Sequence, residues 1–287
     1  MKLRISQDAR PQAMTLLFAA GISIILWFIP FAEILTYPFR LFVTFIHEGG
    51  HAIAALLTGN SVGSLSVAMN ASGETYTTKG GLLSQTLVSS AGYLGAMLYG
   101  SVLLVLIRKA IAARVVLIGS AAIVFALTML YGLLMPIWSG GPFAGIPFTL
   151  AAGTLLSIGL VTVARFARPK LATFFVSFLA VQCVLNALLD LKTVLFLSSP
   201  FAPGASTDAV NMANATGIPA FIWASLWIAI ALGILVLAMR IYVVTRRSSI
   251  QSDISFAEIS STYPTSSRAL FDGSAEIERA TSVLNSR

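Results

Sequence analysis

Seven apolar stretches, at about 13–31, 38–58, 82–107, 115–136, 143–164, 171–197 and 218–245, take up most of this chain. Each is long enough to cross a bilayer as a helix, for which about 18–20 residues suffice. In hydrocarbon every backbone N–H and C=O must be satisfied within the protein, so long apolar stretches of this kind become helices. The expected fold class is an all-α polytopic membrane protein with about six or seven transmembrane helices. Charge content agrees: Asp, Glu, Lys and Arg are 10% of the 287 residues, against roughly 25% in a soluble domain. The lipid bilayer is thus the first partner.

The net charge of +7 does not point to nucleic acid, because the Lys and Arg residues flank the apolar stretches instead of gathering on one face. Their bias places Arg40, Arg108, Arg165 and Arg240 on the cytoplasmic side, which leaves the basic N-terminus on the far side against the usual rule. The first apolar stretch is read as a retained helix, since no small-x-small cleavage site follows it. The single cysteine, Cys183, sits in an apolar run and is read as packing. Residues 60–80, NSVGSLSVAMNASGETYTTKG, alternate weakly, with Leu65, Val67 and Met69 on one face and a turn at Asn70–Gly73. They predict a short β-hairpin inserted between two spans. Residues 198–217 predict a loop with one short helix beginning near Ser206 or Thr207. A membrane domain over 1–247 is followed by a Ser/Thr-rich segment, 248–287, which predicts a disordered tail.

One stretch breaks the apolar pattern with chemistry. Residues 47–51 read His-Glu-Gly-Gly-His, and they hold both histidines of the chain. On a helix, positions i and i+4 share a face, so two imidazoles can bind one tetrahedral Zn²⁺. The adjacent Glu48 can reach a water activated by that metal, take its proton and pass it to a leaving amine. His47 lies about nine residues into its span, roughly 13 Å deep at 1.5 Å per residue. A glutamate at that depth is costly unless it is paired or solvated, so intramembrane ionisable groups mark function. Gly49 and Gly50 weaken the helix; they suit either close helix packing or the approach of a substrate backbone.

A catalytic zinc takes three protein ligands, and no histidine remains. Acids within the apolar stretches are Glu48, Glu33 near an edge, and Asp190. Asp190 is therefore the leading third ligand, with an ion pair to Lys192 as its structural alternative. Asp208, in the following loop, is the runner-up; its alternative role is as a first-turn carboxylate of a short helix. Asn186, one turn before Asp190, is a candidate for orienting a ligand or a scissile carbonyl. Ala91 and Gly95, spaced small-x-x-x-small, predict close packing of the third span on the histidine-bearing helix.

HEGGHAIAALLTG, the β-like insert, SSAGYLGAMLYG, NALLD and STDAVNMANATGIP together resemble the membrane-embedded zinc peptidases related to the site-2 proteases. The likeness is to their compact bacterial-type branch without a PDZ domain and covers about residues 38–235. It implies zinc at His47 and His51, catalysis by Glu48, and a multi-pass protein of a bacterial plasma membrane. Better-known members carry their last ligand in an Asn-x-x-Pro-x-x-x-Leu-Asp-Gly pattern, from which Asn186 to Asp190 departs by its shorter spacing and by lacking the proline and the Asp-Gly. The function expected is an intramembrane zinc metalloendopeptidase acting on a polypeptide in or near the membrane. A non-enzymatic metal-binding scaffold or a transporter is the alternative, although a transporter would line several spans with charge.

Overall fold

The computed structural model describes residues 10–108, 112–140, 144–198 and 207–244, and the segment expected to form a tail from 248 lies outside them. The elements run α1 (Arg10–Phe28), α2 (Glu33–Leu57), β1 (Val62–Val67), β2 (Gly73–Thr77), α3 (Leu82–Arg108) and α4 (Ala113–Leu127). A π-helical segment (Thr128–Leu134) leads into α5 (Met135–Ser139), followed by α6 (Ile146–Phe166), α7 (Pro169–Leu197), α8 (Asp208–Thr216) and α9 (Ala220–Val244). The protein is an all-α polytopic membrane protein with a two-stranded hairpin after the His-Glu-x-x-His helix. Among the described residues, five helical stretches are long and apolar enough to cross a membrane: α3, α4 through α5, α6, α7 and α9. Helices α1 and α2 fill the other two expected places. The apolar part of α1 is short, Met14–Leu26, and α2 carries Glu33, Arg40, Glu48 and the two histidines.

Local chemistry sets the ends. Pro169 occupies the first turn of α7, where its missing N–H costs nothing. The expected short helix, α8, is capped by Thr207, whose Oγ1 accepts from the Val210 N–H at 3.3 Å. It stops at Gly217, left-handed at φ 74°, a conformation glycine adopts without steric cost. The span expected at 115–136 divides into α4, the π segment and α5.

Helix α2 packs most extensively against α3, α3 against α7, and α4 against α6. Lipid tails are as apolar as leucine, so close van der Waals fit holds such helices together, and small residues permit it. A Cβ on Gly50 would strike the Ala91 carbonyl of α3, whereas a Cβ on Gly95 would lie 3.5 Å from the Gly50 Cα, at ordinary contact distance. The α2–α3 contact is therefore closest where Gly50 meets Ala91, with Gly95 one turn further along α3 beside it.

Strands β1 and β2 pair antiparallel, Leu65 opposite Thr75 and Val67 opposite Gly73, with an irregularity between Val62 and Ser64. Leu65 and Val67 are buried as the alternation predicts, whereas Met69 is exposed because the strand has ended. In the turn, the Asn70 Oδ1 accepts from the Ser72 N–H at 3.0 Å, which lets Ala71 sit at φ 63°. The hairpin is fastened to the helices. The Val67 N–H donates to Thr149 Oγ1 of α6 at 2.9 Å, Tyr37 Oη of α2 donates to the Met69 carbonyl at 2.6 Å, and Thr44 Oγ1 donates to the Ala71 carbonyl at 2.8 Å.

Candidate metal centre

The i, i+4 spacing on α2 brings the imidazoles of His47 and His51 together, with Nε2 atoms 3.0 Å apart and ring planes at 73°. His51 Nδ1 lies 2.6 Å from the Val88 carbonyl of α3. A carbonyl only accepts, so Nδ1 carries the proton and the neutral ring turns an unprotonated Nε2 to the centre, the form a metal requires. Tyr93 of α3 stands edge-on to His47 with ring centroids 4.5 Å apart. It leans in turn on Trp227 of α9, whose indole N–H donates to Ser90 Oγ at 2.9 Å. Three helices thereby fix the orientation of the two rings.

The third group comes from the connection between α7 and α9. Asp208, first residue of α8, places Oδ2 at 3.5 Å from His51 Nε2 and 3.8 Å from His47 Nε2. Ligand atoms of His47, His51 and Asp208 all lie within 4.8 Å of one another, and among the described residues no other His, Cys, Asp or Glu joins them. Burial works against ionisation of Asp208, but when the two histidines are protonated, as they can be without a metal, their hydrogen bonds and charge outweigh it and hold the carboxyl below its ordinary range. Two neutral-capable nitrogens and one carboxylate oxygen form a donor set that suits zinc. Room for an ion is present: a Cβ on Gly92 would collide with both Nε2 atoms, so this glycine keeps the space beside them open.

Glu48 is buried at 4% exposure and turns toward the hairpin. Its Oε2 accepts from Thr75 Oγ1 of β2 at 2.7 Å, and its carboxylate packs against Gly73 so closely that no Cβ would fit there. His47, Glu48, His51 and Asp208 open together onto one cavity of about 960 Å³, with β2 along it and Asn211 and Asn214 of α8 among its lining.

Not every expected residue is brought here. Asp208, and not Asp190, meets the histidines: α8 packs on α3 and carries its first residue over the pair. Asp190 is exposed on α7 and does not line the cavity. Asn186 is likewise outside it. Its Nδ2 donates to the Gln182 carbonyl at 2.8 Å and to Gln182 Oε1 at 3.0 Å, and Gln182 Nε2 reaches Ser23 Oγ of α1 at 3.2 Å. Cys183 is buried, in keeping with packing. Sequence reasoning missed Thr75, Tyr93 and Gly92. Gly92 and Tyr93 lie in the stretch singled out for helix packing, while Thr75 is one β-prone residue among several.

No curated protein and no solved structure compared with the chain matches it. A family model, that of the Peptidase M50B-like proteins, matches residues 16–238, which cover α2, the hairpin and α8 with its aspartate. With the match running over most of its length, the chain belongs to the Peptidase M50B-like family.

Proposed function

We propose that this protein is an intramembrane zinc metalloendopeptidase that hydrolyses a polypeptide in or beside the membrane. The observation that carries the reading is the convergence of His47, His51 and Asp208 in the cavity that also holds the buried Glu48. His47 and His51 through Nε2, and Asp208 through its carboxylate, would hold the zinc. When bound, zinc supplies Lewis acidity, which polarises a carbonyl and lowers the pKa of a water toward neutrality.

The chain's own residues do the rest. Glu48, with its carboxylate on the cavity, accepts the proton that an attacking water gives up as its oxygen bonds to the scissile carbon. It returns that proton to the amide nitrogen as the C–N bond breaks, so no charge is left stranded. The Val88 carbonyl holds His51 in the tautomer that presents Nε2. A helical substrate keeps its amides bonded to itself and must be unwound before one can react. Strand β2 runs along the cavity and suits an extended segment laid beside it as an added strand.

The test is metal analysis of the purified protein next to a Glu48→Gln variant in a proteolysis assay. The variant is expected to keep its zinc and to lose ~10²–10⁴-fold in rate, the usual cost of removing a general base. Cleavage at the wild-type rate by Glu48→Gln would defeat the peptidase reading.

A further inference from the structure

The glutamate of the His-Glu-x-x-His motif is fixed by its own helix only as far as Cα. Its side chain has three further torsions, and placing a base within reach of one water proton requires that they be held. Two contacts hold them, and both come from the hairpin. Thr75 Oγ1 lies 2.7 Å from Glu48 Oε2 and 3.2 Å from the Glu48 carbonyl, while Gly73, two residues earlier on β2, gives the carboxylate room that any side chain would fill.

The rest of the hairpin is tied to the same helix face. Tyr37, Thr44 and Glu48 follow one another along α2, and each bonds to a point on the hairpin: Met69, Ala71 and Thr75 in turn. From the other side, Thr149 of α6 holds Val67 of β1. The hairpin is thus clamped between α2 and α6, and its reach into the cavity ends on the glutamate. A hydroxyl donating to a carboxylate makes a stronger bond than a neutral pair.

We propose that Thr75 is a positioning residue for Glu48, so that the strand along the substrate cavity also aims the base. This rests on the peptidase reading for Glu48 and adds a residue that the motif does not contain. Val is nearly isosteric with Thr and suits a strand, so Thr75→Val removes the hydroxyl with little change of shape. Thr75→Ser keeps the hydroxyl and removes a methyl.

Two measurements test the proposal. In the first, the full chain in detergent is assayed on fluorophore-labelled β-casein, with bound zinc quantified for each variant. Thr75→Val is expected to keep its zinc and to lose roughly 10–100-fold in kcat, the order of loss for a misplaced catalytic group, with KM within about twofold. Thr75→Ser is expected to recover most of that loss. Equal kcat for Thr75→Val and wild type would overturn the proposal, and so would a Thr75→Ser variant as impaired as Thr75→Val. The second measurement needs no turnover: a thermal-unfolding cycle of Thr75→Val, Glu48→Ala and the double variant, all without zinc. The melting shift caused by Thr75→Val is expected to shrink once residue 48 is alanine, what remains being the Thr75 contact with the backbone carbonyl of residue 48. Additive shifts would mean that the two side chains do not interact and would overturn the proposal too. If Glu48→Gln cleaves like wild type, the peptidase reading fails, while the unfolding cycle still decides the contact between Thr75 and Glu48.

Discussion

Helices α2 and α7 both run polar side chains at i, i+4 spacing through otherwise apolar sequence, and they put them to different uses. On α2, His47 and His51 face Gly92 of α3, a position with no side chain, and the vacant space lies at their Nε2 atoms. On α7, Gln182 and Asn186 bond to each other, and Gln182 meets Ser23 of α1. There the polar groups satisfy one another and fill their contact. A polar residue in a span therefore becomes a site or a fastening according to what the facing helix leaves open, which residue type alone does not state.

The comparison breaks most visibly at the two aspartates. Asp208→Ala is expected to lose most of the bound zinc, a larger loss than the roughly 10–100-fold that follows removal of an outer-shell partner, whereas Asp190→Ala keeps it. Zinc stoichiometry of the two purified variants is the measurement, and the reverse result would move the centre onto α7. A smaller effect is expected at the glycine that keeps the space open. Gly92→Ala pushes a methyl against both Nε2 atoms and should weaken zinc binding on the order of 10–100-fold, read by competition with a chromogenic chelator. Unchanged affinity would show that the space beside the imidazoles is not where the ion sits. The smallest effect belongs to the fastening on α7. Gln182→Leu should lower stability by about 0.6 kcal/mol, a typical interhelical hydrogen bond in a membrane, and leave zinc content and cleavage as they are. A loss of zinc in that variant would join α7 to the centre after all and erase the contrast between the helices.

Much of this arrangement is written locally and so is open to reading from sequence. The i, i+4 histidines and the glutamate between them need only a helix, and the length of α2 provides it. The hairpin follows from alternation around Asn70–Gly73, and α8 begins where Thr207 offers a cap. What sequence does not carry is which elements meet. Asp190 stands in an apolar context and Asp208 in a polar connection, so ranking acids by depth favours Asp190. The outcome turns on a connection folding back over α2 and α3, which no periodicity announces. Asn186 was expected at the site because it shares a face with Asp190; its amide is taken up instead by Gln182 of its own helix. The π-helical segment at Thr128–Leu134 is hidden for a related reason, since its residues are as apolar as the α-helical ones around them and only the packing of β1 and α6 beside it marks the place.

Asp208 has one more consequence, and it concerns time. During synthesis the chain yields His47, Glu48 and His51 early, and Asp208 emerges only about 160 residues later, roughly 8–32 s at 5–20 residues per second. Until then the two imidazoles lack their carboxylate. The hypothesis that follows is that hydrolytic capacity arrives only with the last fifth or so of the described chain, after every described span except α9 has been made. A peptidase built this way has only a short period, while α9 is made, in which its three metal-binding side chains stand together in an unfinished membrane domain. Stalled nascent chains ending before and after residue 217 would show it: zinc retention is expected only in the longer set, and equal retention in both would refute the idea.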